Sequence, residues 1–259
     1  RDLNFKYVCN FPSVTPVNAD GQQLEIYVGG GSLIHPSVVL TAAHSASRPD
    51  LKVRAGEWDT QNTQEPYPYQ ERVVGSIEIH RDFMRGNLFN DIALLFLTEP
   101  MDLAPNIGVA CLPPPPMPPL YSVQRVPRWT RCFATGWGKT KFEKESTYRA
   151  ILKKIEVPVV DRDTCQAQLR MTRLGRYFQL HKSFMCAGGE PGQDACRGDG
   201  GSPLSCPTGN RYMQSGIVAW GIGCGTAGVP GVYVDVAFFR TWVDNKVSAR
   251  GYDPKVYTF

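Results

Sequence analysis

Short segments of alternating hydrophobic and polar residues recur along the chain. Residues 51–55, 76–80 and 155–159 each alternate with a period of two, which is typical of β-strands with one buried face. The longest apolar run, residues 92–97, predicts a buried strand and is too short to span a membrane. These patterns favour an all-β fold.

Two segments have helical patterns instead. Near the carboxyl end, four apolar residues share the spacing of one helix face and predict a C-terminal α-helix. They are Phe239, Trp242, Val243 and Val247. Asp163, with Gln166 three residues later, forms a weak capping box that predicts a short helix running toward Leu169.

Composition narrows the class of protein. The 259 residues include 25 Gly and 21 Pro, as expected for a turn-rich globular chain of one large domain or two small ones. The net charge of +4 does not by itself indicate a nucleic-acid partner. Eight cysteines without a C-x-x-C pair favour disulfides in an extracellular compartment over a zinc site.

Three motifs carry the candidate chemistry. Residues 41–45 read Thr-Ala-Ala-His-Ser, residues 90–95 read Asn-Asp-Ile-Ala-Leu-Leu, and residues 198–203 read Gly-Asp-Gly-Gly-Ser-Pro. In this order they resemble the active-site motifs of chymotrypsin-like serine proteases. The resemblance implies that His44 is at the position of the base, Asp91 at that of the orienting carboxylate, and Gly200 at that of the nucleophile.

With glycine at position 200, these three residues cannot carry out the acyl transfer that they perform in the family. Acyl transfer by a serine protease requires a hydroxyl held beside a base, and glycine has no side chain. Ser202 follows two residues later, but the rise of an extended chain places its Cα about 5–7 Å from that of Gly200. We therefore predict a degenerate triad with no active catalytic residue.

The resemblance also implies a fold. Residues 29–248 are expected to form two antiparallel six-stranded β-barrels with the site between them, followed by the C-terminal helix. The barrels should meet near residues 112–131, where six prolines between 113 and 119 indicate a connector or, alternatively, a recognition motif. Residues 1–28 are an N-terminal segment of uncertain alignment, and residues 249–259 are an extension.

The loop around Gly200 departs from the family pattern in further ways. Gly29 and Ser45 occupy the places of two cysteines that normally bond to each other. Gly198, Gly200 and Gly201 predict a loop with unusual backbone freedom. Asp199 matches the aspartate that binds the new N-terminal ammonium in the family, and no matching N-terminus is recognisable.

By the same resemblance, three disulfides are expected. Cys132 should pair with Cys206, Cys165 with Cys186, and Cys196 with Cys224. Cys9 and Cys111 remain and are paired by exclusion.

Two candidate ligand sites are less specific. Asp194, Gly221 and Gly231 match the positions of a trypsin-like pocket for Arg or Lys, which could still hold a basic side chain or could be an inherited, collapsed pocket. Glu57, Asp59 and Glu65 lie in a segment resembling a calcium loop of some relatives, although a solvated acidic loop fits the spacing better. No other cofactor or metal is implied.

Positive charge is concentrated in one part of the chain. Residues 125–182 hold 14 Lys and Arg against 5 Asp and Glu. Arg170, Arg173 and Arg176 form its densest part, with Tyr177 and Phe178 beside them. This segment is either a solvated basic surface or a docking surface for an acidic protein or polyanion.

Further stretches narrow the family. Residues 53–60, 151–155, 173–175 and 180–184, together with the loop around Gly200, resemble the clip-domain serine protease homologues of arthropods, of the masquerade-like type. That group implies a clip domain before this region and a secreted, haemolymph location. It also implies a non-catalytic role as cofactor in prophenoloxidase activation, melanisation and innate immunity, with prophenoloxidase and clip-domain proteases as partners.

Two other functions remain open on the residues alone. Asp194 with His44 and Asp91 would suit an active trypsin-like endopeptidase, against which Gly200 argues. The basic segment would suit a module that binds microbial polyanions. Neither nucleic acid nor a membrane span is indicated, and oligomerisation stays open.

Overall fold

The fold is built from two closed antiparallel barrels. The computed structural model describes residues 8–14, 25–48, 50–62, 64–116, 126–138, 150–192, 199–223 and 225–258. The first barrel comprises β1 (Val8–Val14), β2 (Glu25–His35), β3 (Val38–Thr41), β4 (Lys52–Ala55), β5 (Gln70–Ile79) and β6 (Ala93–Leu97). The second comprises β7 (Arg131–Gly136), β8 (Lys153–Val160), β9 (Phe184–Gly188), β10 (Pro203–Thr208), β11 (Arg211–Trp220) and β12 (Pro230–Asp235). The predicted all-β class with two six-stranded barrels is confirmed.

Strand β6 shows why the apolar run lacks polar positions. Successive side chains of a strand point to opposite faces. Leu95 and Leu97 line the interior of the first barrel, while Leu94 and Phe96 belong to the core between the two barrels. Both faces of β6 are buried, so every position of the strand is apolar.

The first barrel begins upstream of the predicted boundary. Strand β1 is its first member and pairs with both β2 and β4. Cys9 stands opposite Gly31 on one side and Ala55 on the other. The boundary at residue 29 is therefore corrected, because the barrel closes only through a strand that starts at Val8.

The C-terminal helix α2 spans Val236–Ala249 and confirms the predicted amphipathic helix. The Asp235 carboxylate caps it by accepting a hydrogen bond from the Ala237 N–H at 3.1 Å. Phe239, Val243 and Val247 are buried in the core between the barrels. No helix in the described ranges combines the length and the apolar character that a membrane span requires.

The short helix α1 spans Arg162–Arg170, but its cap differs from the prediction. Asp161, not Asp163, is the N-cap, and its carboxylate accepts a hydrogen bond from the Thr164 N–H at 3.0 Å. Strand β8 ends at Val160, so the chain must turn at Asp161. Asp163 lies in the first turn, where the helix dipole interacts favourably with a negatively charged carboxylate.

The connector between the barrels is held by the carboxyl end of the chain. Arg240 is buried and donates hydrogen bonds to the carbonyls of Leu112 and Pro113, at 3.2 and 2.8 Å. The extension forms a short 3₁₀ helix, Pro254–Tyr257, and the Tyr257 carbonyl accepts from the Leu112 N–H at 2.9 Å. The extension thus packs onto the connector.

Two of the predicted disulfides are present. Cys132–Cys206 joins β7 to β10, and Cys165–Cys186 joins α1 to β9. Cys196 and Cys224 lie outside the described residues, so their pairing stays a prediction.

The predicted bridge between Cys9 and Cys111 is absent, since Cys111 is a free, half-buried cysteine. Its carbonyl accepts from Gln214 of the second barrel, at 2.9 Å, whereas the Cys9 backbone is held in the ladder of the first barrel.

Candidate functional site

The strand ladder brings His44 and Asp91 together. Thr41 at the end of β3 stands opposite Ala93 at the start of β6, so residues just beyond these two positions meet. The Asp91 carboxylate accepts a hydrogen bond from the His44 backbone N–H at 2.8 Å and lies 2.6 Å from Nδ1 of the imidazole. Asp91 is fully buried and the His44 side chain is 29% exposed. The carboxylate thereby fixes the ring, and Nε2 remains available.

The His44 imidazole occupies the space that the Cβ of a nucleophilic side chain at position 200 would need. An ideal Cβ built on Gly200 would lie 3.0 Å from Cε1 of His44 and closer still to Nε2. Such contacts require atoms to move, and both partners here are held, His44 by Asp91 and Gly200 by its carbonyl. A serine at position 200 therefore does not fit the present arrangement of the ring.

A hydrogen bond stands where the family disulfide is missing. The Ser45 hydroxyl donates to the Gly200 carbonyl at 3.2 Å, and the Gly30 N–H donates to the same oxygen at 2.9 Å. An ideal Cβ on Gly29 would be 2.9 Å from the Ser45 Cβ. Gly29 and Ser45 thus approach more closely than two disulfide-bonded cysteines do, for which the Cβ atoms are about 3.5–4.5 Å apart.

Ser202 faces the junction of the barrels and not the base. It is fully buried, and an ideal Cβ on Gly30 would lie 3.1 Å from its Cβ and closer still to its Oγ. A Cβ on Gly136 would lie 3.3 Å from the same Oγ. Among the described residues, the Ser202 hydroxyl has no hydrogen-bond partner. No contact joins it to His44, so the structure does not offer it as a replacement nucleophile.

The described part of the glycine-rich loop is tightly held. The Gly201 N–H donates to Val218 at 2.9 Å, and Ser202 donates to the Asp199 carbonyl at 2.9 Å. Gly201 has φ +88°, and a Cβ there would collide with Gly30 and Thr41, so only glycine suits this position. The expectation of unusual freedom is therefore wrong for residues 199–202; Gly198 lies outside the described residues.

Asp199 is directed at the strand that enters the second barrel. Its carboxylate accepts a hydrogen bond from the Gly138 N–H at 2.8 Å. An ideal Cβ on Gly136 would lie 2.9 Å from the Asp199 Cγ, so this carboxylate needs the space that the glycine leaves. The terminal residues that could bring an ammonium group here lie outside the described ranges.

The pocket positions are only partly described. Gly221 follows the end of β11, and an ideal Cβ there would lie 3.8 Å from the Gly223 carbonyl oxygen, an ordinary van der Waals contact. Gly231 is buried in β12 opposite Ala187. Asp194 lies outside the described residues, and the Arg or Lys pocket therefore stays a prediction.

Two of the calcium candidates, Glu57 and Glu65, use their carboxylates to accept hydrogen bonds from other residues of the protein. Glu57 is 6% exposed, accepts from the Trp58 N–H at 3.0 Å and from Arg54 at 3.4 Å, and burial raises its pKa. The Glu65 carboxylate accepts from the Asp59 N–H at 2.8 Å. In the described ranges, no three acidic, His or Cys side chains come together as a metal site. The structure does not bring Glu57, Asp59 and Glu65 together as a ligand set.

The basic segment, which begins with the last residue of α1, divides into a structural arginine and two exposed ones. Arg170 is half-buried, and its Nε donates to the Phe178 carbonyl at 2.8 Å, closing residues 171–178 into a loop. Arg173 and Arg176 are exposed, and neither has a carboxylate partner among the described residues. Residues 171–182 are called the basic loop below.

Large apolar side chains accompany these charges. Met171 is 89% exposed and Tyr177 is 80% exposed. The Arg176 guanidinium lies 4.7 Å from the centre of the Tyr177 ring and donates to its hydroxyl at 2.6 Å. Such a combination of arginine and aromatic side chains is enriched at protein interfaces.

Two contacts of the site could not be read from sequence. The Ser45–Gly200 hydrogen bond and the stacking of Phe89 on His181, with ring centres 4.1 Å apart, each join residues about a hundred or more positions apart. The sequence signal near the Ser45–Gly200 contact is that Gly29 and Ser45 together replace two cysteines that bond to each other in the family.

Comparison with known proteins agrees with this arrangement. A family model described as Trypsin matches residues 10–243. The chain is 63% identical to phenoloxidase-activating factor 2 of Galleria mellonella, over 98% of this chain and 84% of that protein. It is 47% identical to inactive CLIP domain-containing serine protease A3 of Aedes aegypti, over 86% of this chain and 47% of that protein. It is 41% identical to inactive CLIP domain-containing serine protease A28 of Anopheles gambiae, over 85% of this chain and 56% of that protein. The chain thus spans about half the length of the two mosquito relatives.

Proposed function

Because this chain belongs to the trypsin family, and within it to the clip-domain serine protease homologues, we propose that it is a secreted, catalytically inactive cofactor of prophenoloxidase activation. In this role the protein binds partners and cleaves none. Melanisation as part of innate immunity would be the physiological outcome. The Galleria mellonella relative is named as a phenoloxidase-activating factor, and this supports the role.

The observation that carries catalytic inactivity is the contact between His44 and Gly200. A serine protease needs a hydroxyl whose proton the imidazole can take. Here the base and its orienting carboxylate are kept at hydrogen-bonding distance, 2.6 Å, but position 200 supplies only backbone. The imidazole lies in the space that a side chain would need. His44 therefore has no nucleophile to activate.

The alternative of an active Arg- or Lys-specific endopeptidase needs Ser202 as nucleophile. The hydroxyl would have to come within about 3 Å of the imidazole with defined orientation. Ser202 is fully buried against Gly30 at the junction of the barrels. Its position favours a packing role and argues against hydrolysis.

The basic loop supports a binding role. Arg173 and Arg176 are exposed without carboxylate partners among the described residues, and Tyr177 is held beside them. Closure of the loop by Arg170 keeps these side chains in place. A pre-ordered loop loses less conformational entropy when it binds. We therefore assign the docking of an acidic partner, prophenoloxidase or its processed form, to this loop, with clip-domain proteases acting on the same complex.

A binder of microbial polyanions is the remaining alternative. It would use the same arginines, whereas the exposed Met171 and Tyr177 together favour a protein surface, which can bury both. Secretion is supported by the two disulfides, which persist in oxidising compartments.

A reconstituted activation reaction tests the proposal. Prophenoloxidase and an active clip-domain protease would be incubated with and without this protein, and phenoloxidase activity measured. We expect activity to rise when the protein is present, while the protein alone hydrolyses no Arg or Lys peptide substrate. Serum albumin at the same concentration is the control. Equal phenoloxidase activity with this protein and with albumin would overturn the cofactor role.

A further inference from the structure

An aromatic stack joins the basic loop to the first barrel. The rings of Phe89 and His181 lie 4.1 Å apart and nearly parallel, at an angle of 10°. Beside them, Ser183 Oγ accepts a hydrogen bond from the Asn90 N–H at 3.3 Å and lies 2.8 Å from Nδ1 of His181. The end of the basic loop is therefore fixed against the segment that leads to Asp91.

The first-barrel partner of this stack is a tight turn, residues 84–89. The Met84 N–H donates to the Phe89 carbonyl at 3.0 Å, and the Leu88 N–H donates to the Met84 carbonyl at 2.7 Å. Leu88 and Asn90 have φ of 58° and 56°, in the left-handed region. For a residue other than glycine, such as Leu88, this conformation is sparsely populated and persists only where the surroundings enforce it. The turn is thus a rigid projection.

The exposed side chains of this turn match those of the basic loop. Met84 is 53% exposed and Arg85 is exposed, without a carboxylate partner among the described residues. The neighbouring Arg81 differs, because Asp82 lies 3.7 Å away and offsets its charge. An exposed methionine and arginines without a carboxylate partner among the described residues therefore occur both in this turn and in the basic loop.

We propose that residues 84–89 form the second half of the docking surface, so that one acidic, extended protein segment crosses from the basic loop to the first barrel. This inference rests on the proposed function and names the shape and chemistry of the partner. His181 is only four residues beyond Tyr177 in the chain. Five residues of extended chain span up to about 17 Å, so a short extended segment of the partner can reach from Tyr177 to the stack. Acidic side chains of the segment pair with Arg85, Arg173 and Arg176, and its apolar side chains cover Met84 and Tyr177.

Charge and exposure together favour a protein segment over a polysaccharide. Arginine, methionine and tyrosine are enriched in the buried centres of protein interfaces. A sulfated or phosphorylated polymer would be bound chiefly through the cations. Because the stack fixes the turn and the loop relative to each other, a partner that engages both gains affinity without ordering either.

Binding to purified prophenoloxidase tests this inference, with dextran sulfate as the polyanion probe. Three variants would be compared with the parent: Met84→Ala/Arg85→Glu in the turn, Arg173→Glu/Arg176→Glu in the basic loop, and Lys255→Glu as a matched charge reversal on the exposed C-terminal extension. Loss of one exposed ion pair raises Kd by up to about fivefold, and the reversed charge and the lost Met84 contact add to this, so the turn variant should raise Kd by about fivefold or more. Lys255→Glu should leave Kd unchanged.

Each pattern of results is decisive. Weakened prophenoloxidase binding in both the turn and the loop variants supports the two-barrel surface. Weakening in the loop variant alone overturns the role of the turn and leaves the proposed function standing. No weakening in either variant overturns both the surface and the docking site of the proposed function. If the turn variant loses affinity for dextran sulfate but not for prophenoloxidase, the turn binds polyanions and the protein segment is wrong.

Discussion

The His44 imidazole lies against Gly200, with Cε1 3.0 Å from the position that a Cβ on residue 200 would take. The Asp91 carboxylate holds the ring through Nδ1, 2.6 Å away, and accepts a second hydrogen bond from the His44 backbone N–H at 2.8 Å. The imidazole therefore fills the space that a side chain at position 200 would need. Restoring the missing side chain would not by itself restore the site.

Gly200→Ser should destabilise the protein without restoring hydrolysis. Overpacking of a filled site typically costs about 1–3 kcal/mol, and the added Cβ meets a ring that is held by a buried carboxylate. Urea unfolding would measure the free energy of unfolding, and Arg peptide substrates would measure activity.

The matched control is Gly86→Ser, because an ideal Cβ at Gly86 meets nothing within 4 Å. His44→Ala combined with Gly200→Ser should recover most of the lost stability. Substantial hydrolysis by the single variant would contradict the account of a closed site.

Reintroducing the missing disulfide should stabilise the protein little. Gly29→Cys with Ser45→Cys would place Cβ atoms 2.9 Å apart, closer than the range of about 3.5–4.5 Å that disulfides adopt. It would also remove the hydroxyl that donates to the Gly200 carbonyl. Peptide mapping without reduction and urea unfolding would check this. A gain of about 2–4 kcal/mol, usual for a disulfide, would show that the two positions still suit a bridge.

Glu78 should stabilise the attachment of α2 to the first barrel in a pH-dependent way. Lys246 lies 2.9 Å and Arg250 3.1 Å from its carboxylate, and the hydrogen bond from Lys246 is the main cause of its lowered pKa. A carboxyl with a lowered pKa in the folded state stabilises above its ordinary value of 4.5 and loses this effect as the pH falls through the lowered pKa.

Glu78→Gln should therefore cost up to about 1 kcal/mol at pH 7, since the pair is partly exposed, and almost nothing near pH 3. Urea unfolding at both pH values would measure the difference, with exposed Glu99→Gln as control. An equal effect of Glu78→Gln at both pH values would mean that packing, not charge, is responsible.

Several elements follow from local sequence pattern alone. The buried run of β6 and the apolar face of α2 were predictable, because each depends on a repeating spacing. The meeting of His44 with Asp91 was instead implied by the family resemblance of their motifs. The disulfides Cys132–Cys206 and Cys165–Cys186 were expected from family resemblance.

Other features depend on contacts between distant segments. The direction of Ser202 is set by Gly30 and Gly136, which belong to different barrels. The capping role of Asp161 depends on where β8 ends, and strand β1 is recognisable only from its pairing with β2. A single sequence does not encode these pairings in any local spacing.

The arginines of the basic loop should separate into two roles. Replacing Arg173 and Arg176 with Glu should raise the concentration needed for half-maximal cofactor activity by about tenfold or more, because two exposed ion pairs are reversed. The parent's partner binding should weaken with salt, since the Debye length falls from about 10 Å at 0.1 M to about 3 Å at 1 M.

Arg170→Glu should instead loosen the loop, because its guanidinium holds the Phe178 carbonyl at 2.8 Å. Hydrogen exchange over residues 171–178 would rise in that variant and stay unchanged in the Arg173/Arg176 variant. Unchanged cofactor activity in the Arg173/Arg176 variant would place the docking site elsewhere on the protein.

Labelling with a serine-directed fluorophosphonate tests the central claim, a protease scaffold without protease chemistry, most directly. Intact-mass spectrometry after incubation with excess reagent should show the unmodified protein, with trypsin labelled to completion in parallel. The result follows from the empty side-chain position at Gly200 and from the full burial of Ser202. One adduct per molecule, mapped by peptide sequencing to Ser202, would contradict the account.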